Sequence, residues 1–199
     1  MLDVAAPFQA SGWMPNVLCR FVRDFEALAQ YLLLLKQLGC PRCGAVESLN
    51  RHSKLFGNDP DKAGSCVLRG QRVWCCPRSQ RGGCGFTFCV FIAQVLPRHT
   101  LTAGWIWQWL LRMLTGSSLK AAVENLRPPF ALETLYRLRR KLRQRIESLR
   151  ALLCREQAPP SSAQSDPWLQ TVEHLQQIFS LAECPAAQFQ LHFQLPFLG

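Results

Sequence analysis

The stretch RVWCCPRSQRGGCGFTFC, residues 72–89, holds four of the chain's ten cysteines, and CPRCG, residues 40–44, holds two more. Thiols this dense in two short stretches serve a metal ion, disulfides or a small core, and each demands its own backbone geometry. The expected compartment bears on the choice. The opening MLDVAAPFQASGWMPN has no basic region leading into an apolar run, so no secretory signal is expected. The most apolar run, ALAQYLLLLKQL (27–38), is interrupted by Lys36 and falls short of the roughly 20 apolar residues of a membrane span. A cytoplasmic location without membrane contact is the expectation, and disulfides are rare there. Metal is therefore favoured over bridges.

Zinc held by four thiolates is tetrahedral, and its usual supply is two Cys-x-x-Cys knuckles, each presenting both sulfurs to one point. Cys40-Pro41-Arg42-Cys43-Gly44 fits one knuckle, with a glycine for the tight return. The same spacing serves redox dithiols, but no βαβ pattern surrounds it. Cys84 is followed by Gly85, as Cys43 is by Gly44, so Cys84 is a ligand of the second knuckle. Its partner lies across PRSQRGG, a Gly- and Ser-containing insert whose ends can stay close. Adjacent strand residues face opposite sides, so Cys75 and Cys76 cannot both reach the metal. Cys76 adjoins the turn, and its CP matches Cys40-Pro41, so the expected ligands are Cys40, Cys43, Cys76 and Cys84 for one Zn²⁺. Cys19, Cys66, Cys89, Cys154 and Cys184 are read as small buried hydrophobes, and His52 as a surface residue of a strand.

Periodicity organises the remainder. Residues 16–38 read as an amphipathic helix, with Leu18, Phe21, Val22, Phe25, Leu28, Leu32 and Leu35 recurring at three and four. SLNRHSKLF, CVLRGQRVWC and FTFCVFIA are β-leaning pieces separated by turn residues. TAGWIWQWLLRMLTG is a helix with Thr102 as N-cap, SSLKAAVENL a short second one, and RPPF a break, since Pro128 and Pro129 cannot continue a helix. A long helix follows from Ala131 to about Arg155. EQAPPSSAQSDP (156–167) is a linker by composition. WLQTVEHLQQIFSLA reads as a short helix, and QFQLHFQLPF (188–197) as an alternating apolar strand that must dock on something. The expected fold is α+β: a small antiparallel zinc-ribbon sheet, then an α-helical helix-turn-helix unit, with an N-terminal amphipathic helix. Its segments are 1–38, 39–97 (ribbon), 98–155 (helix-turn-helix with a long basic third helix) and 156–199.

Charge points to the partner. Of the net +10, residues 67–150 carry fifteen Lys and Arg against three acidic residues, a net +12, leaving −2 for the rest. A middle this basic fits a polyanion, most simply double-stranded DNA. On the third helix Leu135, Leu138, Leu142, Ile146 and Leu149 form the apolar stripe. Opposite it, Thr134, Arg137 and Lys141 are the candidate base readers, with Arg137 suited to guanine. Arg140 lies on the same basic face, and Arg139, Arg143, Arg145, Lys120 and Arg98 are candidate phosphate contacts. The apolar stripe continues through Leu152 and Leu153, which allows either a homodimer or packing against residues 168–181.

CPRCG, RGQRVWCCP…GCGFTF, LPRHTLTAGWIWQWLL and LETLYRLRRKLR, in that order over about residues 38–150, resemble the zinc-ribbon plus helix-turn-helix module that precedes the catalytic domain in one group of bacterial insertion-sequence transposases. The resemblance implies zinc on the ribbon cysteines and recognition of the element's ends by the helix from Ala131. Those enzymes cut DNA with three carboxylates holding two metal ions on an RNase-H-like domain. After residue 150 only Glu156, Asp166, Glu173 and Glu183 remain, with no βαβ pattern. The expectation is a non-catalytic DNA-binding protein, working beside a separate catalytic transposase chain or as a remnant. Alternatives are a transcriptional regulator built on the same module and a zinc-ribbon protein-interaction module.

Overall fold

The computed structural model describes residues 18–59, 62, 64–78, 82–124, 126 and 132–198. The chain is α+β and divides into two compact units, one within residues 1–56 and 68–92, the other within 57–67 and 93–199. The expected boundary after residue 38 thus falls inside the first unit, and that after 155 inside the second.

The first unit is a four-stranded mixed sheet with one helix. Strands β1 (Cys19–Val22), β2 (Leu49–Asn58), β3 (Cys66–Cys75) and β4 (Thr87–Ile92) lie in the order β1-β4-β3-β2. β3 runs antiparallel to β4, with Val73 opposite Phe88, whereas β1 runs parallel to β4, with Cys19 opposite Cys89. The sheet is therefore not purely antiparallel. A parallel pair requires a long crossover, and α1 (Phe25–Leu33) with the β2–β3 hairpin supplies it. The expected helix over 16–38 is divided accordingly. Asp24 caps α1, its Oδ1 accepting from the Ala27 N–H at 2.8 Å, and this fixes the helix start. Upstream, Cys19 and Phe21 are buried while Arg20 and Val22 are less so, the period of a strand. Leu18, Phe21, Val22 and Phe25 satisfy a helical spacing by coincidence. Leu28 and Leu35 pack with Leu49, Val73, Phe88 and Val90, and this small core is shared by the cysteines Cys40 and Cys75.

The second unit is helical: α2 (Ala103–Leu114), α3 (Ala121–Glu124), α4 (Leu132–Glu156), α5 (Pro167–Ile178) and α6 (Pro185–Phe193). Thr102 caps α2 as expected, its Oγ1 accepting from the Trp105 N–H at 3.1 Å. Ser118 caps α3 through the Ala121 N–H at 3.2 Å. The expected RPPF turn, residues 127–130, lies outside the described residues, as does Ala131. Trp109, Ile106 and Leu110 of α2, Leu135, Leu138 and Leu142 of α4, and Trp168 and Leu175 of α5 build one core. Leu149 and Leu153 are buried there too, so the long stripe of α4 is covered within the chain by α5.

Residues 188–197 form no strand. Pro185 sits in the first turn of α6 and Gln194 ends it in the left-handed conformation. Phe193 packs against Phe189 at a spacing of four, ring centroids 4.7 Å apart, and Phe197 beyond the helix meets Phe189 edge-on at 5.7 Å. A period of two and a period of four coincide at every second step, which is why alternation misled. Gln190 pins the helix in place: fully buried, it donates to the carbonyls of Ala93 (2.7 Å) and Val95 (2.9 Å) and accepts from the Phe197 N–H (3.0 Å). Among the described residues no helix is long and apolar enough to cross a membrane.

Candidate metal centre and basic helix

Cys40, Cys43, Cys75 and Cys84 converge, every Sγ lying within 4.8 Å of the others. Cys40 and Cys84 are 3.8 Å apart, and Cys43 and Cys75 are 3.7 Å apart. Four sulfurs about 2.3 Å from a tetrahedral metal ion have edges of ~3.8 Å, so these two opposite edges already have the length a metal requires. They are also far longer than the ~2.05 Å of a disulfide.

The two halves of the centre are built alike. In the first knuckle the Cys40 N–H donates to the Ala45 carbonyl (3.0 Å), the Gly44 N–H to the Cys40 carbonyl (2.8 Å), and the Arg42 N–H points at Cys40 Sγ (3.5 Å). In the second, the Cys75 N–H donates to the Phe86 carbonyl (2.8 Å), the Gly85 N–H to the Cys75 carbonyl (3.0 Å), and the Cys84 N–H points at Cys75 Sγ (3.3 Å). Gly44 and Gly85 both take φ near +75°, at +75° and +73°, which an L side chain resists. The second knuckle is thus the first with a loop spliced between its ligands. Arg42 lies over the Phe86 ring, 5.0 Å from its centroid, and ties one knuckle to the other. Buried Ser48 holds its Oγ 3.2 Å from Cys75 Sγ while donating to the Ala45 carbonyl.

Cys75, not Cys76, supplies the third sulfur. Val73 and Cys75 face the buried side of β3 together, as period two demands, and β3 ends at Cys75 with its side chain at the knuckle. Cys76 faces away and uses its N–H on the Ser48 carbonyl at 2.8 Å, closing the base of β2. The likeness of Cys76-Pro77 to Cys40-Pro41 carried no geometric meaning, whereas the side shared with Val73 did. Of the other cysteines, Cys19 and Cys89 are buried as expected, but Cys66 and Cys154 are exposed and Cys184 is half-buried.

The thiols differ before any metal binds. Burial pushes Cys40 up to about 12, with backbone N–H groups of Cys43 and Arg42 opposing. The Ala45 N–H draws Cys43 down to about 7. Burial raises Cys84, opposed by the Phe86 N–H. A cation at the centre would take four thiolates, so it must displace the Cys40 proton, and binding strengthens as pH rises.

On α4 the structure divides the expected nucleic-acid residues into two sets. Arg137 and Arg140 are exposed, Thr134 is half-buried, and Lys120 is exposed just before α3. Lys141 Nζ lies 3.5 Å from His99 Nε2, bringing the Leu96–His99 turn against α4. In that turn the His99 N–H donates to the Leu96 carbonyl at 3.1 Å, Pro97 stands second and exposed Arg98 third, with φ +67°. This is the position where glycine is preferred. Arg139, Arg143 and Arg145 are engaged within the chain, although Arg143 stays exposed. Arg143 (2.9 Å) and Arg139 (3.8 Å) reach Asp166, the N-cap of α5. Arg145 donates to the Pro196 carbonyl at 2.9 Å, and burial holds its guanidinium below its ordinary value. These three arginines anchor α5 and the C-terminal segment, because a wheel alone does not show that a second helix docks along its basic edge.

Three of the four carboxylates after residue 150 are likewise engaged. Glu156 meets His192 at 3.0 Å, Asp166 caps α5, and Glu173 accepts from Ser162, while Glu183 is exposed. Compared with protein-family models, curated proteins and solved structures, the chain matches none.

Proposed function

We propose that the chain is a non-catalytic, zinc-stabilised protein that binds double-stranded DNA, akin to the DNA-recognition half of an insertion-sequence transposase and directed to the ends of such an element. Zinc suits the centre because a d¹⁰ ion accepts four thiolates in a tetrahedron without geometric preference of its own. The ribbon core is small, so the metal contributes directly to its folding free energy.

The observation that carries the DNA reading is the cation cluster at the start of α4. Arg137 and Lys141 are one turn apart, Arg140 flanks them, and the contact between Lys141 and His99 (3.5 Å) adds Arg98 from the preceding turn. Arg98 keeps a long cationic side chain where the backbone favours glycine. Strain of that kind persists when the side chain has a use. Three of the four carboxylates after residue 150 are committed to a cap, an imidazole or a hydroxyl, which favours a non-catalytic role with cutting left to a separate chain.

The test compares Arg137→Ala with Arg140→Ala on a duplex selected from a random pool and on random duplex. Arg137→Ala should weaken the selected site by roughly 1–3 kcal/mol and random DNA much less. Arg140→Ala should weaken both alike and reduce the salt slope by about one unit. Equal losses on both duplexes for Arg137→Ala would refute sequence reading by α4, and a salt-independent interaction would refute the DNA reading itself.

A further inference from the structure

The β2–β3 hairpin carries a charge pattern that the metal centre does not use. Strands β2 (LNRHSKLFGN) and β3 (CVLRGQRVWC) contain Arg51, Lys54, Arg69 and Arg72 and no acidic residue. Arg51, His52, Lys54, Phe56 and Arg72 are exposed. β2 is an edge strand of the sheet. Lysine on an edge is a common guard against strand-to-strand aggregation, but the same guard would exclude an exposed phenylalanine. Phe56 is 61% exposed and lies outside the cores of both units. Its exposure opposes solubility and contributes nothing to either core.

Period two sets His52, Lys54 and Phe56 on one side of β2. Their backbone positions are then about 14 Å apart at ~3.4 Å per residue, with Lys54 midway between them. A ring, a cation and a ring in a row suit one class of ligand: flat bases that stack and a phosphate that lies between them. Single strands offer unstacked bases, whereas a duplex hides its base faces. We propose that this side of β2 binds single-stranded DNA, with Phe56 and His52 as stacking platforms and Lys54 on a phosphate between them. The complement is electrostatic as well as aromatic, since β2 and β3 themselves have no carboxylate and Asp59, the next one along, lies past the strand end against Ser65. The site is separate from α4 and does not depend on α4 reading a duplex.

Fluorescence anisotropy of labelled dT20 with the full, metal-loaded chain tests it. Phe56→Ala should weaken dT20 binding about tenfold, and Phe56→Tyr should restore most of it. Lys54→Glu should weaken it further at low salt. Metal content and far-UV circular dichroism should be unchanged, because these side chains are exposed. Binding of a random duplex should be insensitive to Phe56→Ala, while Arg140→Ala should do the reverse. Failure of the α4 reading alone would show as lost duplex binding with dT20 binding intact. No dT20 binding, undiminished binding by Phe56→Ala, or displacement of dT20 more readily by rU20 than by unlabelled dT20 would each overturn the proposal.

Discussion

Gly83 is the residue at which one methyl group should open the metal centre. A Cβ built there would lie 2.0 Å from the Cys76 carbonyl oxygen and 2.9 Å from Cys75 Sγ. The first contact is with backbone, so no rotamer change relieves it. Restoring ordinary contact requires the strand end at Cys75–Cys76 and the turn at Cys84 to part by roughly 1 Å or more. Metal–sulfur distances tolerate about 0.2 Å. Gly83→Ala should therefore lower zinc affinity by about 10–100-fold, the range found when groups around metal ligands are disturbed. The internal controls are Gly82 and Gly85. Both have positive φ (+59° and +73°), and an added Cβ meets nothing within 4 Å at Gly82 and only Pro77, at 3.9 Å, near Gly85. Alanine at either should cost about 1–2 kcal/mol of backbone strain with much less loss of affinity. Competition with a chromogenic zinc chelator measures all three variants. If Gly83→Ala holds zinc as tightly as Gly82→Ala, the close approach of the two arms of the second knuckle is wrong.

Two further outcomes follow from the second unit. Arg98→Gly relieves about 1–2 kcal/mol of left-handed strain at φ +67° against roughly 0.4–1 kcal/mol for a more flexible unfolded chain, so it should stabilise the protein by about 0.5–1 kcal/mol while weakening duplex binding, and a urea melt showing destabilisation would refute the strain. Buried His174 has its pKa lowered from 6.5 by desolvation, with the Gln157 carbonyl opposing and Arg150 adding to the shift. Its contribution is therefore present above pH 6.5 and lost as pH falls below it, because the unfolded chain then binds the proton first. Thermal melts should decline between pH 7.5 and 5.5, and His174→Gln should flatten that decline; an unchanged slope in the variant would contradict it.

Long periodic signals were legible in the sequence. Thr102 and the Trp- and Leu-rich pattern of α2 required only local chemistry, as did the stripe of α4 and the three β-leaning pieces. The misreadings share a cause in ambiguous period or in contacts made far along the chain. Cys19–Val22 became a strand because β4 offered a parallel partner seventy positions away in register, Cys19 with Cys89. Phe189 and Phe193 fit two periods, and the buried Gln190 that decides between them reads as an ordinary polar residue. Arg139 and Arg143 looked free because nothing local announces that Asp166 caps a helix lying beside them. Within the metal centre three of four ligands followed from one Cys-x-x-Cys knuckle and from the Cys-Gly turn that Cys84 shares with Cys43. The fourth required the side shared by Val73 and Cys75, a signal outweighed in the sequence by a repeated dipeptide.

Metal content across cysteine variants tests the centre most directly. Wild-type protein, purified without added chelator, should hold about one zinc per chain, and its cobalt-substituted form should give the visible bands of a tetrahedral thiolate site. Cys75→Ser should lose both zinc occupancy and that spectrum, as should Cys40→Ser, Cys43→Ser and Cys84→Ser, while Cys76→Ser keeps them. Full occupancy in Cys75→Ser with loss in Cys76→Ser would contradict the centre described here.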